Sequence, residues 1–498
     1  MPINNRSKLI ICSILLIGAV IRLHALGQDV RFHPDEALYS TFARHAALNG
    51  DWLLHGTLDK PPIAIYADAI SMTLFAARVE NTILNFDSRT GEFAARLPST
   101  FAHIALIAVV YALAMRLYQD RRVAAWAALL VACSPVAIAF SGTAFTDGLM
   151  LLFMALALLS VSRANWLWGG IWLALAIGSK QQGIFYAPLV IALGWALHGL
   201  TLRRLALIAL PIGIGVLMLF GWDAARAQES NVWTLASANY VPIQLITGDE
   251  LSPRLGTWLE FGRLILGTPT FLLIGAAALA LINRTIREPR QPSTVIDAIL
   301  AVYALAYFVS HWLISFNLYD RYLLPLIPLL AILSARGGLW AWRWISRIMP
   351  QQEGSLIIGV IVFVLVTGGW NAAEGNVNVG GDGSGGERGV YTGIDELAAY
   401  LNSKPLGAIL YDRWLGWELG YYLGEWTDKR KVYYPTTDLL VEGALNQTDP
   451  APRYFPAPIN QPITEWLDAL RAAGFTITRV YTSTRFVVYE LLPPPPRL

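Results

Sequence analysis

Charge is scarce in this chain. Of 498 residues, 35 are acidic and 37 basic, so 14% are charged, where a soluble globular domain carries about a quarter. Cysteine is scarcer still. Cys12 and Cys133 both fall inside apolar runs, so they read as inert packing residues and say nothing about redox compartment. No Gly-x-x-x-x-Gly-Lys loop occurs, which disfavours ATP-driven transport. No His/Cys spacing suits a dedicated zinc site, and no basic surface interleaved with aromatics points to nucleic acid. The Gly cluster near 380–389 lacks the strand-turn-helix context of a dinucleotide fingerprint.

What the chain has is apolar length. It is 55% hydrophobic with a mean hydropathy of +0.47, the mark of a polytopic membrane protein. Its 18 Trp and 20 Tyr suit residues that gather at bilayer interfaces. Apolar runs of span length fall near 9–26, 98–115, 123–140, 146–162, 166–179, 183–199, 205–222, 263–283, 296–316, 322–340 and 354–371, about eleven in all. The 166–179 run is short, which suits a helix buried in protein. Arg6 and Lys8 precede the first run, no small-x-small cleavage site follows it, and Arg22-Leu-His24 is a poor one. An uncleaved first span is therefore expected in place of a signal peptide.

Positive charge orders these runs. With the N-terminus in the cytoplasm, the turns on that side hold Arg6 and Lys8; Arg116, Arg121 and Arg122; Arg163; Arg203 and Arg204; Arg284, Arg287 and Arg290; and Arg336, Arg343 and Arg347. Few acids accompany them, which is the expected bias for the cytoplasmic face. The outer face then receives the long first loop, 27–97, and everything beyond the last span. In that loop, Pro34 followed by Asp35 and Glu36 opens an amphipathic helix expected to lie on the membrane surface, and 63–75 reads as a second interfacial helix. After the membrane domain, 1–372, comes a Gly-rich linker, 373–392. Alternating helix and strand signals over 393–498 predict a small α/β domain. They place helices at 396–402, 413–423 and 461–473 and strands at 407–411, 431–434, 476–481 and 484–491.

The outer face also collects ionisable side chains. Asp35, Glu36 and Asp59 lie in the first loop, Asp147 heads the fourth run, and Lys60, Lys180 and Arg321 stand at outer ends. Each has a plain reading: Asp35 and Glu36 as helix caps, Asp147 as a first-turn acid, Lys180 as a snorkelling lysine, Arg321 as a partner of Asp320. Together they are harder to dismiss, because each charge at the membrane costs about 2–3 kcal/mol to insert.

The motifs run in order. Pro34-Asp-Glu-Ala-Leu-Tyr39 and Asp59-Lys-Pro-Pro62 are followed by Ala95-Arg-Leu-Pro-Ser99, Thr146-Asp147, Gly178-Ser-Lys180 and Asp320-Arg-Tyr-Leu-Leu-Pro325. This pattern, over roughly residues 30–330, resembles the GT-C superfamily of membrane glycosyltransferases. The nearest branch is the bacterial group similar to dolichyl-phosphate-mannose-protein mannosyltransferases and aminoarabinose transferases. The resemblance implies that Asp35 is the leading catalytic residue, that Lys60 holds the donor phosphate, that Asp59 is the acid preceding Lys-Pro-Pro, and that Asp147 lines the cavity. In the aminoarabinose branch an arginine stands where this chain has Leu38, which puts that donor and a lipid A acceptor in doubt.

Chemistry supports the same expectation. No ordinary pool of nucleotide sugars exists outside the cytoplasm, so an outward-facing enzyme needs a polyprenyl-phosphate-linked sugar. Its phosphate is a stable leaving anion, and cations beside it stabilise the developing charge; Lys60 ranks first, Arg321 second and Lys180 third. The acceptor, a glycan, lipid or protein, must lose a proton to a carboxylate, with Asp35 as base and Glu36 or Asp59 orienting it. One displacement inverts the anomeric centre. Asp35, Asp59 and Asp147 could instead hold a divalent cation through oxygen ligands. The rival from another class is a lipid or solute transporter. Transporters place their charges near the bilayer midplane, whereas here they gather at one surface. A catalytically silent scaffold is the third reading.

Overall fold

The computed structural model describes residues 5–238, 243–347, 350–376 and 389–495. The contacts divide it into two compact units. The first comprises Met1–Gln28, Asp51–Ser71 and Ala95–Glu387, and the second Asp29–Gly50, Met72–Ala94 and Arg388–Leu498.

Each predicted apolar run contains a helix, though in the 263–283 run the helix begins only at Thr270. The helices are α1 Asn5–Leu26, α2 Pro34–Asn49, α3 Pro62–Phe75, α4 Ser88–Tyr118, α5 Arg121–Ala132, α6 Pro135–Ser141, α7 Asp147–Ser162, α8 Trp166–Ser179, α9 Ala187–His198 and α10 Leu202–Ala225. Short helices α11 Val232–Ala238 and α12 Leu251–Gly262 precede α13 Thr270–Arg287, α14 Pro292–Leu313, α15 Ile327–Ile345 and α16 Gln351–Ala373. A helix needs about 20 residues to cross hydrocarbon. Among the described residues seven helices meet that length and apolarity, and α5 with α6 makes an eighth if the bent pair is one span. The chain is a multi-pass membrane protein. The expected eleven crossings are thus eleven apolar helical segments of unequal length, because α7, α8 and α9 have only 16, 14 and 12 residues.

The α5–α6 pair shows why one apolar run is not one straight span. It bends by 54° at Cys133-Ser134. Pro135 lacks the N–H needed to continue α5, and the Ser134 side chain caps α6, accepting from Ala137 N at 3.1 Å. The orphan carbonyls at the end of α5 are met from α1: buried Arg22 donates to Val131 O and Ala132 O, both at 2.8 Å. At the opposite end of the bundle, Asp297 of α14 draws in Arg284, Arg336 (2.7 Å) and the Tyr118 hydroxyl (2.8 Å). One buried acid thereby ties the ends of α4 and α13 to α14 and α15.

In the second unit the C-terminal segment forms the expected α/β domain. Its helices are α17 Ile394–Asn402, α18 Gly416–Tyr422, α19 Thr437–Asn446 and α20 Ile463–Ala472. A first-loop hairpin pairs β1 Arg78–Glu80 with β2 Ile83–Asn85, and the domain's strands are β3 Ile409–Asp412, β4 Arg430–Tyr433, β5 Arg453–Pro458, β6 Thr476–Thr482 and β7 Phe486–Leu492. The sheet order is β4-β3-β5-β7-β6, parallel through the first three strands and antiparallel through the rest. Helix α19 and the middle strand β5 carry no expectation from the sequence. Strand β5 reads Arg-Tyr-Phe-Pro-Ala-Pro, and proline removes a ladder donor. The structure accommodates it because β3 pairs only with Arg453 and Tyr454, leaving Pro456 and Pro458 bonded on the β7 side alone. Of the expected linker, 377–388 lies outside the described residues.

The first-loop helix α2 belongs to this unit. Its buried face, including Ala37, Phe42 and Ala43, packs on α18. Arg44 fixes the contact, donating Nε to Glu425 at 2.8 Å and Nη2 to Gly420 O at 3.0 Å. Further along, the Tyr421 hydroxyl donates to Ser88 O at 3.1 Å and Trp426 to Leu84 O at 2.9 Å.

Candidate functional site

The ionisable residues singled out by the sequence divide between the two units. In the first unit, Asp147 opens α7 immediately after a sharp turn, and Lys180 follows the last residue of α8. Lys180 is held in an extended conformation (φ −156°, ψ 132°) before a 3-10 turn over Gln181–Tyr186. The two side chains meet, Lys180 Nζ to Asp147 Oδ1 at 2.6 Å, and are 4% and 3% exposed. Lys180 also sits 5.3 Å above the Tyr322 ring. A buried pair of this kind is retained only where both charges are matched.

Arg321 lies in a second 3-10 segment, Asp320–Leu326, at the entry to α15. It is buried, with its guanidinium 4.7 Å from the centre of the Phe145 ring and 4.9 Å from that of Tyr319. Lys60 pairs with the adjacent Asp59, side chains 11% and 17% exposed. The Asp59 carbonyl accepts from Gln181 Nε2 at 2.7 Å, tying the first-loop motif to the Lys180 turn. Both Lys60 and Arg321 act electrostatically on Lys180. The structure therefore gathers Asp59, Lys60, Asp147, Lys180 and Arg321, which are 59 to 321 in the sequence, into one polar cluster.

His103 of α4 is a member the sequence reading overlooked. It packs beneath the head of α7, where a Cβ on Gly148 would meet Ser99 Oγ at 2.6 Å and His103 Cε1 at 2.9 Å. Its Nδ1 donates to Ser99 O at 2.9 Å, and its buried Nε2 has no hydrogen-bond partner among the described residues. A lone ionisable residue in an apolar span was the available signal. Tyr322 and Phe145 gave none, because aromatic residues in such segments are commonplace.

In the second unit, Asp35 and Glu36 open α2. His33 is the N-cap: its Nδ1 accepts from Asp35 N at 3.1 Å, while Glu36 Oε2 accepts from His33 N at 3.1 Å. The pattern is a capping box, which satisfies orphan donors reciprocally. Glu36 is buried and carries this capping bond, while Asp35 is half-buried at the helix N-terminus. Next to them, Arg31 pairs with Glu92 at 2.8 Å, and the Tyr422 hydroxyl joins Glu92 to Phe32 N. The backbone leading into Asp35 is thus pinned on both sides. Among the described residues no group of three or more His, Cys, Asp or Glu is placed to hold a metal ion.

Comparison with known proteins adds an independent line. Over 97% of both chains the structure superposes on ArnT from Cupriavidus metallidurans bound to undecaprenyl phosphate, with a TM-score of 0.66 and 17% identity. The chain has the GT-C fold. A second GT-C structure, the Archaeoglobus fulgidus oligosaccharyltransferase, matches over 96% of this chain and 74% of that one (TM-score 0.57, 12% identity). A family model for dolichyl-phosphate-mannose-protein mannosyltransferase matches residues 12–232. The undecaprenyl phosphate-alpha-4-amino-4-deoxy-L-arabinose arabinosyl transferase of Pectobacterium carotovorum is 25% identical over 366 residues, which is 69% of this chain and 60% of that protein. Its counterpart in Pseudomonas aeruginosa is 24% identical over 71% of this chain and 64% of its own. The chain thus spans less than two thirds of the length of these curated relatives.

Proposed function

We propose that this chain is a glycosyltransferase of the GT-C type. It transfers a sugar from a polyprenyl-phosphate donor to an acceptor on the outer face of the cytoplasmic membrane. The observation that carries the reading is the cluster of Lys60, Lys180 and Arg321 around Asp147, in a chain that shares its fold with an undecaprenyl-phosphate-bound protein. The arginine-rich turns support an orientation with the N-terminus and the Asp297 end of the bundle in the cytoplasm and 389–495 outside.

The chemistry follows from the charges. Lys180 is already matched by Asp147 and serves to hold the turn that carries Gln181. Lys60, which pairs with its neighbour Asp59, is the cation assigned to the donor phosphate. Arg321, whose guanidinium lies near the Phe145 and Tyr319 rings, is the second cation assigned to the phosphate, since a planar guanidinium suits phosphate oxygens. Asp35 takes the proton as the acceptor oxygen or nitrogen attacks C1. The C1–O bond to phosphate breaks and polyprenyl phosphate leaves as the anion, with inversion at C1. Glu36 is a positioning residue that holds the helix bearing Asp35.

The test is transfer in vitro from radiolabelled undecaprenyl-phosphate sugars to membrane acceptors. Asp35→Asn and Lys60→Ala should abolish it; variants as active as the parent would sink the assignment. Labelling of single cysteines placed in 379–389 checks the orientation, which fails if modification occurs only from the cytoplasmic side.

A further inference from the structure

A cavity lies in the first unit, among α5, α15 and α16 and the start of α13. It has a volume of about 600 Å³ and is almost wholly apolar, within the range of ligand pockets (about 300–1,000 Å³). It runs beside α5, and none of Asp59, Lys60, Asp147, Lys180 and Arg321 lines it. It is therefore distinct from the cation cluster.

Small residues on α15 create the space. Gly337 lets α13 approach so closely that a Cβ there would meet the Ala277 backbone at 2.4 Å. Gly338, one residue on, lines the cavity, where a Cβ would find only Leu273 at 3.9 Å. Ser334, one turn earlier, also lines it. The residue is 1% exposed, and its hydroxyl has no hydrogen-bond partner among the described residues. A buried hydroxyl without a partner marks a place where another polar atom belongs.

The cavity is chemically polarised. Among the described residues its one charged lining residue is Arg122, with Trp126 and Trp342 on the same walls. Trp beside a basic residue is the signature of headgroup depth. Arg284 and Arg336 at this end spend their charge on Asp297, whereas the Arg122 guanidinium makes no ion pair with the described residues. Asp120 occupies the N-terminus of α5, accepting from Arg122 N and Val123 N, so an incoming anion is left the guanidinium itself.

We propose that this cavity is a binding site for an anionic glycerophospholipid. The phosphate pairs with Arg122, an acyl chain lies along Gly338 and Leu365, and an ester oxygen accepts from Ser334. The positive field disfavours headgroups that bring their own ammonium, and a pocket of this kind between spans suits an anionic lipid.

Native mass spectrometry of the full-length protein in micelles, with added lipids, tests this. Phosphatidylglycerol should be retained about tenfold better than phosphatidylcholine, the ratio expected from one charge-assisted contact. Arg122→Ala should remove that preference, and Arg122→Lys should restore part of it. Gly338→Phe, which fills the cavity without meeting backbone, should lower retention of both lipids. Undiminished phosphatidylglycerol binding in Arg122→Ala overturns the proposal, as does equal retention of phosphatidylcholine. Preferential retention of undecaprenyl phosphate would show a donor-carrier groove instead, and a dimer mass would show a second copy on this face. Arg122 is exposed in the first turn of α5, so its substitution leaves the fold intact even if Gly338→Phe does not.

Discussion

Lys180 Nζ lies 2.6 Å from Asp147 Oδ1, and both side chains are almost fully buried. The pair joins the end of α8 to the start of α7 and thereby sets the polar cluster. Removing one partner strands a buried charge. Lys180→Met is expected to destabilise the protein by about 3–5 kcal/mol, and Lys180→Met with Asp147→Leu by much less. Unfolding in mixed micelles measures both. A double variant whose loss equals the sum of the singles would show that the two residues are not coupled.

Asp35 and Glu36 are adjacent but differ in task. Asp35→Asn should leave stability unchanged and abolish transfer. Glu36→Gln keeps an oxygen that accepts from His33 N, as glutamine also serves a capping box, so it should cost little stability and retain most activity because Asp35 is untouched. Comparing kcat with melting temperature for the two variants separates the roles; loss of activity in Glu36→Gln without loss of stability would place Glu36 in the chemistry.

The Arg321 guanidinium lies 4.7 Å from the centre of the Phe145 ring and 4.9 Å from that of Tyr319. Loss of a group that stabilises developing charge costs about 10²–10³ in kcat, the effect expected for Arg321→Ala. Arg321→Lys should not rescue it, since an ammonium neither stacks nor offers a planar fork. A lysine variant with full kcat would reduce Arg321 to a generic positive charge.

The Arg44–Glu425 pair, with side chains 4% and 5% exposed, ties α2 to the C-terminal domain. Arg44→Ala should loosen that helix. Hydrogen exchange of 34–49 is expected to quicken, with a stability loss of about 3–5 kcal/mol; unchanged protection would mean the apolar contact alone suffices.

Burial pushes the Glu418 carboxyl from its ordinary 4.5 up to about 7, and nearby Asp412 adds to the rise. Folded protein then holds a proton that the unfolded chain releases above 4.5. This group's favourable contribution is complete below pH 4.5, declines as pH rises, and is lost by about 7. The change is on the order of 3 kcal/mol. The domain should therefore melt at a lower temperature at pH 8 than at pH 5. Glu418→Gln should flatten that dependence, and a profile that persists in this variant would assign it to other groups.

Much of the bundle was legible because apolar length and arginine placement are local properties. The runs at 9–26, 205–222, 296–316 and 354–371 became α1, α10, α14 and α16. The span count was not legible, since α7, α8 and α9 are too short to be judged by hydropathy without knowing what surrounds them. Strand β5 was hidden by two prolines whose missing donors matter only once the neighbouring strands are placed. His103 was hidden by the apolar stretch around it.

The sequence by itself determined that this chain is a helical membrane protein ending in a small α/β domain. It also marked out a set of acids and cations at the ends of the apolar runs as a group. Those conclusions rest on the cost of placing charge in hydrocarbon, which acts residue by residue. Only the tertiary structure decided that Lys180 spends itself on Asp147, that Glu36 carries a cap bond, and that the apolar face of α2 meets the C-terminal domain. Pairing energies depend on which groups share a buried space, and residues far apart in sequence come to share one only when the chain folds.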